Sequence, residues 1–373
     1  GVLAWALAVV IVATSLTLRR RMYWLFRSVH LLFLPLLLCA VLHYPKLLFA
    51  LCPPLVTWAA DVIVRIASNC RANATVVRSS YDHDSGCGLL VVRTDATSDA
   101  EPEAGQFLYV GCRAAGPRLS THPFSVAWYD AATREATLVV KSMGPDTWTS
   151  KLCAAMSPAF PTDGAGGEMT SVAMSGPEPA ANTAGPPADD RFAHKYRALI
   201  TQGPYGSLSV PLGTTPDVAL VAGGIGITML LRMLQLLTGE CRHSNVRRVA
   251  LLWTARDTAL PLQLRVYFDR CVAAREDGGR ASVEATLSLF ITRHGEARAL
   301  KEDPRLQSFG TRKCRRLQLA RDIGSALPMP KDAAEAPPLT IYCCGPRPLV
   351  ATARDFATSS RSSVLLHEES FYL

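Results

Sequence analysis

The sequence predicts a multi-domain chain: a transmembrane α-helical segment, then a small antiparallel β-barrel, then an α/β domain with a Rossmann-like sheet. Three observations predict it. Apolar runs broken by short charged punctuation fill residues 1–67. Short strand-like runs separated by Gly, Asp and Pro clusters occupy about 72 to 156. Then "DVALVAGGIGITMLLRMLQLL" at 217–237 reads as a buried strand, a glycine turn and an apolar helix.

The apolar segment comes first. Its runs, at 1–18, 24–43 and 47–66, each approach the ~20 residues that cross a bilayer. A signal peptide would carry its positive charge before the first run, whereas Arg19, Arg20 and Arg21 follow it. Those arginines and Arg27 lie on one side, and the other side holds only "YPK" with Lys46. By the positive-inside rule the arginine side is cytoplasmic, so everything after about Arg65 is cytoplasmic too. The glycosylation pattern at Asn73-Ala74-Thr75 would be silent there. The chain opens on Gly1 rather than methionine, so these residues are expected to begin inside a longer protein.

His30 and His43 sit at opposite depths of the second run, roughly 20 Å apart along an ideal helix axis. Ionisable groups at membrane depth are costly and mark function, and neutral imidazole is a common axial ligand of haem iron. Two interfacial histidines are the plainer reading. On an ideal helix thirteen residues turn the two side chains about 140° apart. Pro35 between them predicts a break that would change this angle.

The net charge of +8 is spread along the chain, which argues against a nucleic-acid surface. The eleven cysteines are odd in number and form no CxxC pair, so reduced thiols are expected rather than a zinc site or disulfide framework.

The barrel is expected over 72–212. Within it "THPFSVA" follows Gly105-Gln106-Phe107 and a strand. His122, Pro123, Phe124 and Ser125 form a rigid segment in which Phe124 can lie on a flat ring while Ser125 donates to its edge. A core role for Phe124 is the alternative. In "KSMGPDTWTSKL", Lys141, a glycine turn and Thr149 can face a pyrophosphate. Residues 157–195, rich in Pro, Gly, Ala and Ser, are expected to be a disordered insertion. Strand character resumes at "YRALITQGPYGSLSV".

The α/β domain is expected over 213–373. Gly223, Gly224 and Gly226 let backbone approach a phosphate, and Thr228 starts a helix whose N-terminus attracts anions. The strand "VALLWTARD" ends in Arg256, placed for a ribose 2′-phosphate, with Arg293 after the next strand as a possible assistant. "LTIYCCGPRPL" brings Cys344, Gly345 and Pro346 to the same edge. No base partner for Cys344 is visible, so packing beside a nicotinamide suits it better than nucleophilic attack.

In this order the histidine pair, "HPFS", "GPYG", "GGIGIT", "CCGP" and terminal "HEESFYL" resemble the ferric reductase and NADPH oxidase family of transmembrane flavocytochromes, across essentially the whole chain. The resemblance implies a ferredoxin reductase-like pair, an FAD-binding barrel and an NAD(P)H-binding domain, behind a six-helix core holding two b-type haems. Residues 1–67 would be its last three helices, with His30 and His43 as one haem ligand each. The partner histidines are not in these residues, which implies that they lie upstream. "GPYG", with Gly203 and Gly206, closes the flavin domain, and Phe371 is the nearest match to an aromatic that shields the flavin.

The implied reaction passes electrons from cytoplasmic NADPH through FAD and haem b to an acceptor across the bilayer. The short "YPK" loop favours a ferric chelate over dioxygen. A superoxide-generating oxidase and a haem-free, membrane-anchored flavin reductase or scaffold are the alternatives. A regulatory subunit is unspecified, and no nucleic-acid partner is expected.

Overall fold

The computed structural model describes residues 1–18, 22–69, 74–94, 101–112, 115–116, 120–156, 198–239, 245–276, 283–293, 300, 302–328, 337–360 and 363–369. The expected insertion at 157–195 and Phe371 lie outside them. The chain forms two compact units, Gly1–Cys70 and Arg71–Leu373.

The first unit is helical: α1 (Val2–Thr17), α2 (Tyr23–His30), α3 (Phe33–His43) and α4 (Leu47–Asn69). α1 packs on α2 and α3, and α3 on α4. Among the described helices, only α4 is long and apolar enough to cross a membrane, through Leu47–Val64; α1 and the stretch from Ser28 to His43 are shorter apolar helices. The second expected run is not continuous. It breaks at Leu31–Leu32, where Leu32 N–H bonds to Val29 and Leu34 N–H to Leu31, tighter than α-helical spacing. Pro35 explains the place. It has no N–H to offer the Leu31 carbonyl four residues back, and its ring crowds that carbonyl.

The second unit begins with a closed antiparallel barrel in the order β1-β2-β5-β4-β3-β6. Its strands are β1 (Ala74–Asp82), β2 (Cys87–Thr94), β3 (Phe107–Gly111), β4 (Thr121–Asp130), β5 (Glu135–Lys141) and β6 (Ala198–Tyr205). A short helix, α5 (Trp148–Ala154), closes one end, its N-cap Thr147 accepting from the Ser150 N–H.

Six parallel strands follow in the order β10-β9-β8-β7-β11-β12. They are β7 (Asp217–Gly223), β8 (Arg248–Ala255), β9 (Glu284–Ile291), β10 (Thr311–Lys313), β11 (Leu339–Cys344) and β12 (Val364–Glu369). Every residue of β7 and β11 is buried, as parallel strands covered on both faces require. Period two sends Val218, Leu220 and Ala222 toward α6 (Ile227–Thr238) and α7 (Ala259–Glu276). It sends Ala219 and Val221 toward α8 (Leu319–Ala326) and α9 (Arg347–Ser359). Strand order reverses between β7 and β11, which opens a crevice at their C-terminal ends.

Barrel and sheet share one core. Cys87, Ala127, Trp128 and Val139 of the barrel pack in the same apolar cluster as Leu220, Leu230 and Trp253 of the sheet layer. Polar bonds stitch the seam. The Gln235 side chain accepts from the Tyr129 N–H at 3.1 Å and donates to its carbonyl at 2.6 Å. Buried Arg232 donates to the Pro102 carbonyl and to Glu101, at 2.8 Å each.

Candidate functional site

The register of β3 against β4 decides where "HPFS" points. His122 pairs with Val110 and Phe124 with Leu108, while Pro123 pairs with Tyr109 and Ser125 with Phe107. Side chains of paired residues share a face, so His122 and Phe124 turn inward and Pro123 and Ser125 outward. The inward pair closes on Trp148 of α5, with ring centroids at 4.5 Å for His122 and 5.9 Å for Phe124. Burial holds the His122 imidazole below its ordinary pKa, and its Nε2 lies 3.1 Å from the Ser120 hydroxyl. Phe124 and Ser125, expected on one ring, therefore lie on opposite faces, because adjacent residues of a strand must.

The outward face carries aromatics that sequence reasoning missed. Phe107, Tyr109 and Tyr205 cluster with centroids 5.4–6.2 Å apart, and Tyr205 is 46% exposed. The alternation in "QFLYVG" and the tyrosine of "GPYG" were the available signals. Gly203 and Gly206 flank Tyr205 with φ of +126° and +100°, a conformation few other residues adopt. An open aromatic wall with the Ser125 hydroxyl on the same face fits a flat flavin ring. Elsewhere on the barrel, the Thr149 hydroxyl accepts from the Met143 N–H at 3.2 Å and lies 3.2 Å from the Thr147 hydroxyl, so it braces its own loop. Lys141 is exposed at the end of β5.

At the sheet crevice the glycines divide into two kinds. Gly223 and Gly345 pack face to face, a Cβ on Gly345 meeting Gly223 Cα at 2.9 Å, and one on Gly223 meeting Pro346 Cδ at 2.5 Å. A Cβ on Gly226 would collide with the Cys344 carbonyl. These glycines, with Pro346, let the two loops touch. Gly224 differs: its φ is +53°, a Cβ there would meet nothing, and its carbonyl is held by Trp253 Nε1 at 3.0 Å. It opens onto the crevice just before α6, whose positive N-terminal end suits a phosphate. Thr228 is buried in the first turn of that helix.

Arg256 is exposed at the end of β8, and its carbonyl accepts from the Arg293 N–H at 2.8 Å. The two strand ends are thus side by side, and Arg293 also lies 3.9 Å from Asp257. Cys344 is fully buried, and burial pushes its thiol far above the ordinary range, as it pushes Cys343 up to about 12. Such a thiol is not a nucleophile. In the first unit, His30 and His43 end α2 and α3 and are both exposed, the His30 ring 5.2 Å from Phe26. No group of three or more metal-ligating side chains occurs among the described residues.

Residues 85–209 match a family of FAD-binding domains. The match covers the barrel from β2 to the "GPYG" segment. No curated protein matches the chain. Solved structures with a similar backbone include a ferredoxin NADP+ reductase from Neisseria gonorrhoeae with bound FAD and NADP, at 13% identity and TM-score 0.48, covering 79% of this chain and 97% of that one. A flavohemoglobin from Malassezia yamatoensis with bound FAD and heme has 15% identity and TM-score 0.47, covering 92% and 74%. Full-length CYP116B46 from Tepidiphilus thermophilus has 15% identity and TM-score 0.44, covering 81% of this chain but 30% of its own. An FAD-type barrel followed by a parallel sheet with an open C-terminal crevice is consistent with an NAD(P)H-dependent oxidoreductase.

Proposed function

We propose that this chain is the reductase portion of a transmembrane flavocytochrome that moves electrons from cytoplasmic NADPH to a ferric chelate on the far side of a membrane. The observation that carries the proposal is the FAD-family match over a barrel that feeds directly into a nucleotide-type crevice. FAD, when bound, would accept a hydride and release single electrons.

The chain's own residues do the rest. Phe107, Tyr109 and Tyr205 wall the flavin ring, and Ser125 donates at its edge. Gly224 and the N-terminus of α6 take the pyrophosphate of the dinucleotide, and Arg256 selects the 2′-phosphate. The shared core keeps the two cofactor sites at a fixed spacing, which hydride transfer needs.

For haem the residues supply half a set. Residues 1–70 contain two histidines, His30 at the end of α2 and His43 at the end of α3. A bis-histidine haem b at each level would need a second imidazole from outside these residues. Support for the acceptor comes from the connection between α3 and α4, only Tyr44, Pro45 and Lys46. So short a loop would leave an acceptor site open to a bulky chelate. Membranes carrying the full-length protein should form Fe(II) from a ferric chelate in an NADPH-dependent manner. Dominant superoxide release would instead favour the oxidase reading.

A further inference from the structure

The first part of the segment joining barrel to sheet, residues 206–211, is held from both sides. On the barrel side the Gln106 amide donates to the Gly206 carbonyl at 3.4 Å. Gly105 leaves room for Leu208, whose Cδ2 would lie 2.5 Å from an added Cβ. On the sheet side the Tyr342 hydroxyl lies 3.1 Å from the Val210 carbonyl and 2.9 Å from that of Pro211. Beside Tyr342 on the next strand stands His367, which is 5% exposed.

His367 is placed with unusual care for a core residue. Its Nδ1 accepts from the Ser209 N–H at 3.2 Å and lies 2.6 Å from the Ser209 hydroxyl. Using that lone pair puts the ring proton on Nε2. Nε2 is buried and has no hydrogen-bond partner among the described residues, lying 3.7 Å from a carboxylate oxygen of Glu369. Glu369 in turn pairs with Cys344, and its carbonyl accepts from the Gly345 N–H at 3.4 Å. Burying an imidazole with one nitrogen unsatisfied costs stability. A leucine of similar size would fill the same core position without that cost.

We infer that His367 is a positioning residue, a latch that fixes linker 206–211 on β12. Four residues upstream of Ser209 is Tyr205, the end of the aromatic wall. Two residues along β12 from His367 is Glu369, abutting the crevice loop at Cys344–Gly345. The latch therefore sets the distance between the flavin-side and nicotinamide-side segments. This inference rests on the proposed NADPH-to-flavin reading.

The test uses the full chain loaded with FAD and four measurements: the anaerobic rate of flavin reduction by NADPH, the KM for NADPH, FAD content and amide exchange at 206–211. H367L loses both nitrogens. It should retain FAD and a KM within about twofold of wild type while its reduction rate falls about tenfold or more, since a misplacement near 1 Å suffices for that. H367N keeps an acceptor where Nδ1 was and should recover most of the rate. H367Q keeps a donor near the Nε2 position but not the Ser209 acceptor, and should not.

Wild-type rates in H367L, or equal rates in H367N and H367Q, overturn the latch. If H367L does not fold, the H367N and H367Q pair decides alone. If the wild-type flavin is not reduced by NADPH, the proposed function fails, yet amide exchange still judges the latch. Faster exchange in H367Q than in H367N supports it, and equal exchange overturns it.

Discussion

Gly226 and Gly224 stand two residues apart and are glycines for different reasons. At Gly226 any side chain would strike the Cys344 carbonyl, whereas at Gly224 the space is open and only the positive φ is demanding. G226A should therefore lower stability by more than the 1–3 kcal/mol typical of overpacking, while G224A should cost about 1 kcal/mol. Thermal unfolding of the two variants checks the order. Arg256 makes a separate prediction. If it binds the 2′-phosphate, R256A should raise the KM for NADPH about tenfold, the worth of one charge-assisted bond, and leave NADH unchanged. A parallel change for both cofactors would remove that assignment. Glycine spacing in "GGIGIT" was legible, but which glycine has open space beside it was not. That depends on the CGP loop, over a hundred residues away, folding against Gly223 and Gly226.

At the level of elements, period two divides "HPFS", whose Phe124 and Ser125 the sequence alone places on one ring. On β4 alternate residues take opposite faces, so Phe124 joins Trp148 and Ser125 joins the wall of Phe107, Tyr109 and Tyr205. The Pro35 break was legible because a missing N–H acts locally, and the interruption falls one turn before it. Helix α8 offers a pH test. The Asp322 carboxylate is 1% exposed, and burial alone would raise its pKa, but bonds from Arg315 and the Gln318 N–H, with the charges of Arg315 and Lys313, hold it below the ordinary value. A depressed folded pKa contributes stability that is complete above the unfolded value near ~3.9 and is lost as pH falls through the folded one. D322N should thus destabilise by about 3 kcal/mol at neutral pH, the cost of breaking a buried pair. The gap to wild type should close in acid. Denaturant unfolding at several pH values reads this directly, and a pH-independent gap would contradict it.

On the scale of the whole molecule, the shared core makes barrel and sheet one folding unit. Unfolding of residues 71–373 should then be a single transition, seen alike by flavin release and by far-UV circular dichroism. R232A, which strips a buried cation from Glu101 and the Pro102 carbonyl, should shift the transition as a whole by about 3–5 kcal/mol. Two separated transitions would show that the seam is not a core. The order of domains was readable because apolar runs, alternating strands and a glycine turn each carry their own periodicity. Their fusion was not, since Trp128 and Gln235 show their cross-domain contacts only in three dimensions. In the proposed function, a nicotinamide bound at the sheet crevice reduces FAD held on the barrel. Anaerobic mixing of the FAD-loaded chain with NADPH tests it: the visible flavin absorbance should bleach, and Y205A should slow or abolish the bleaching. A flavin that stays oxidised in the presence of excess NADPH and NADH would contradict the account.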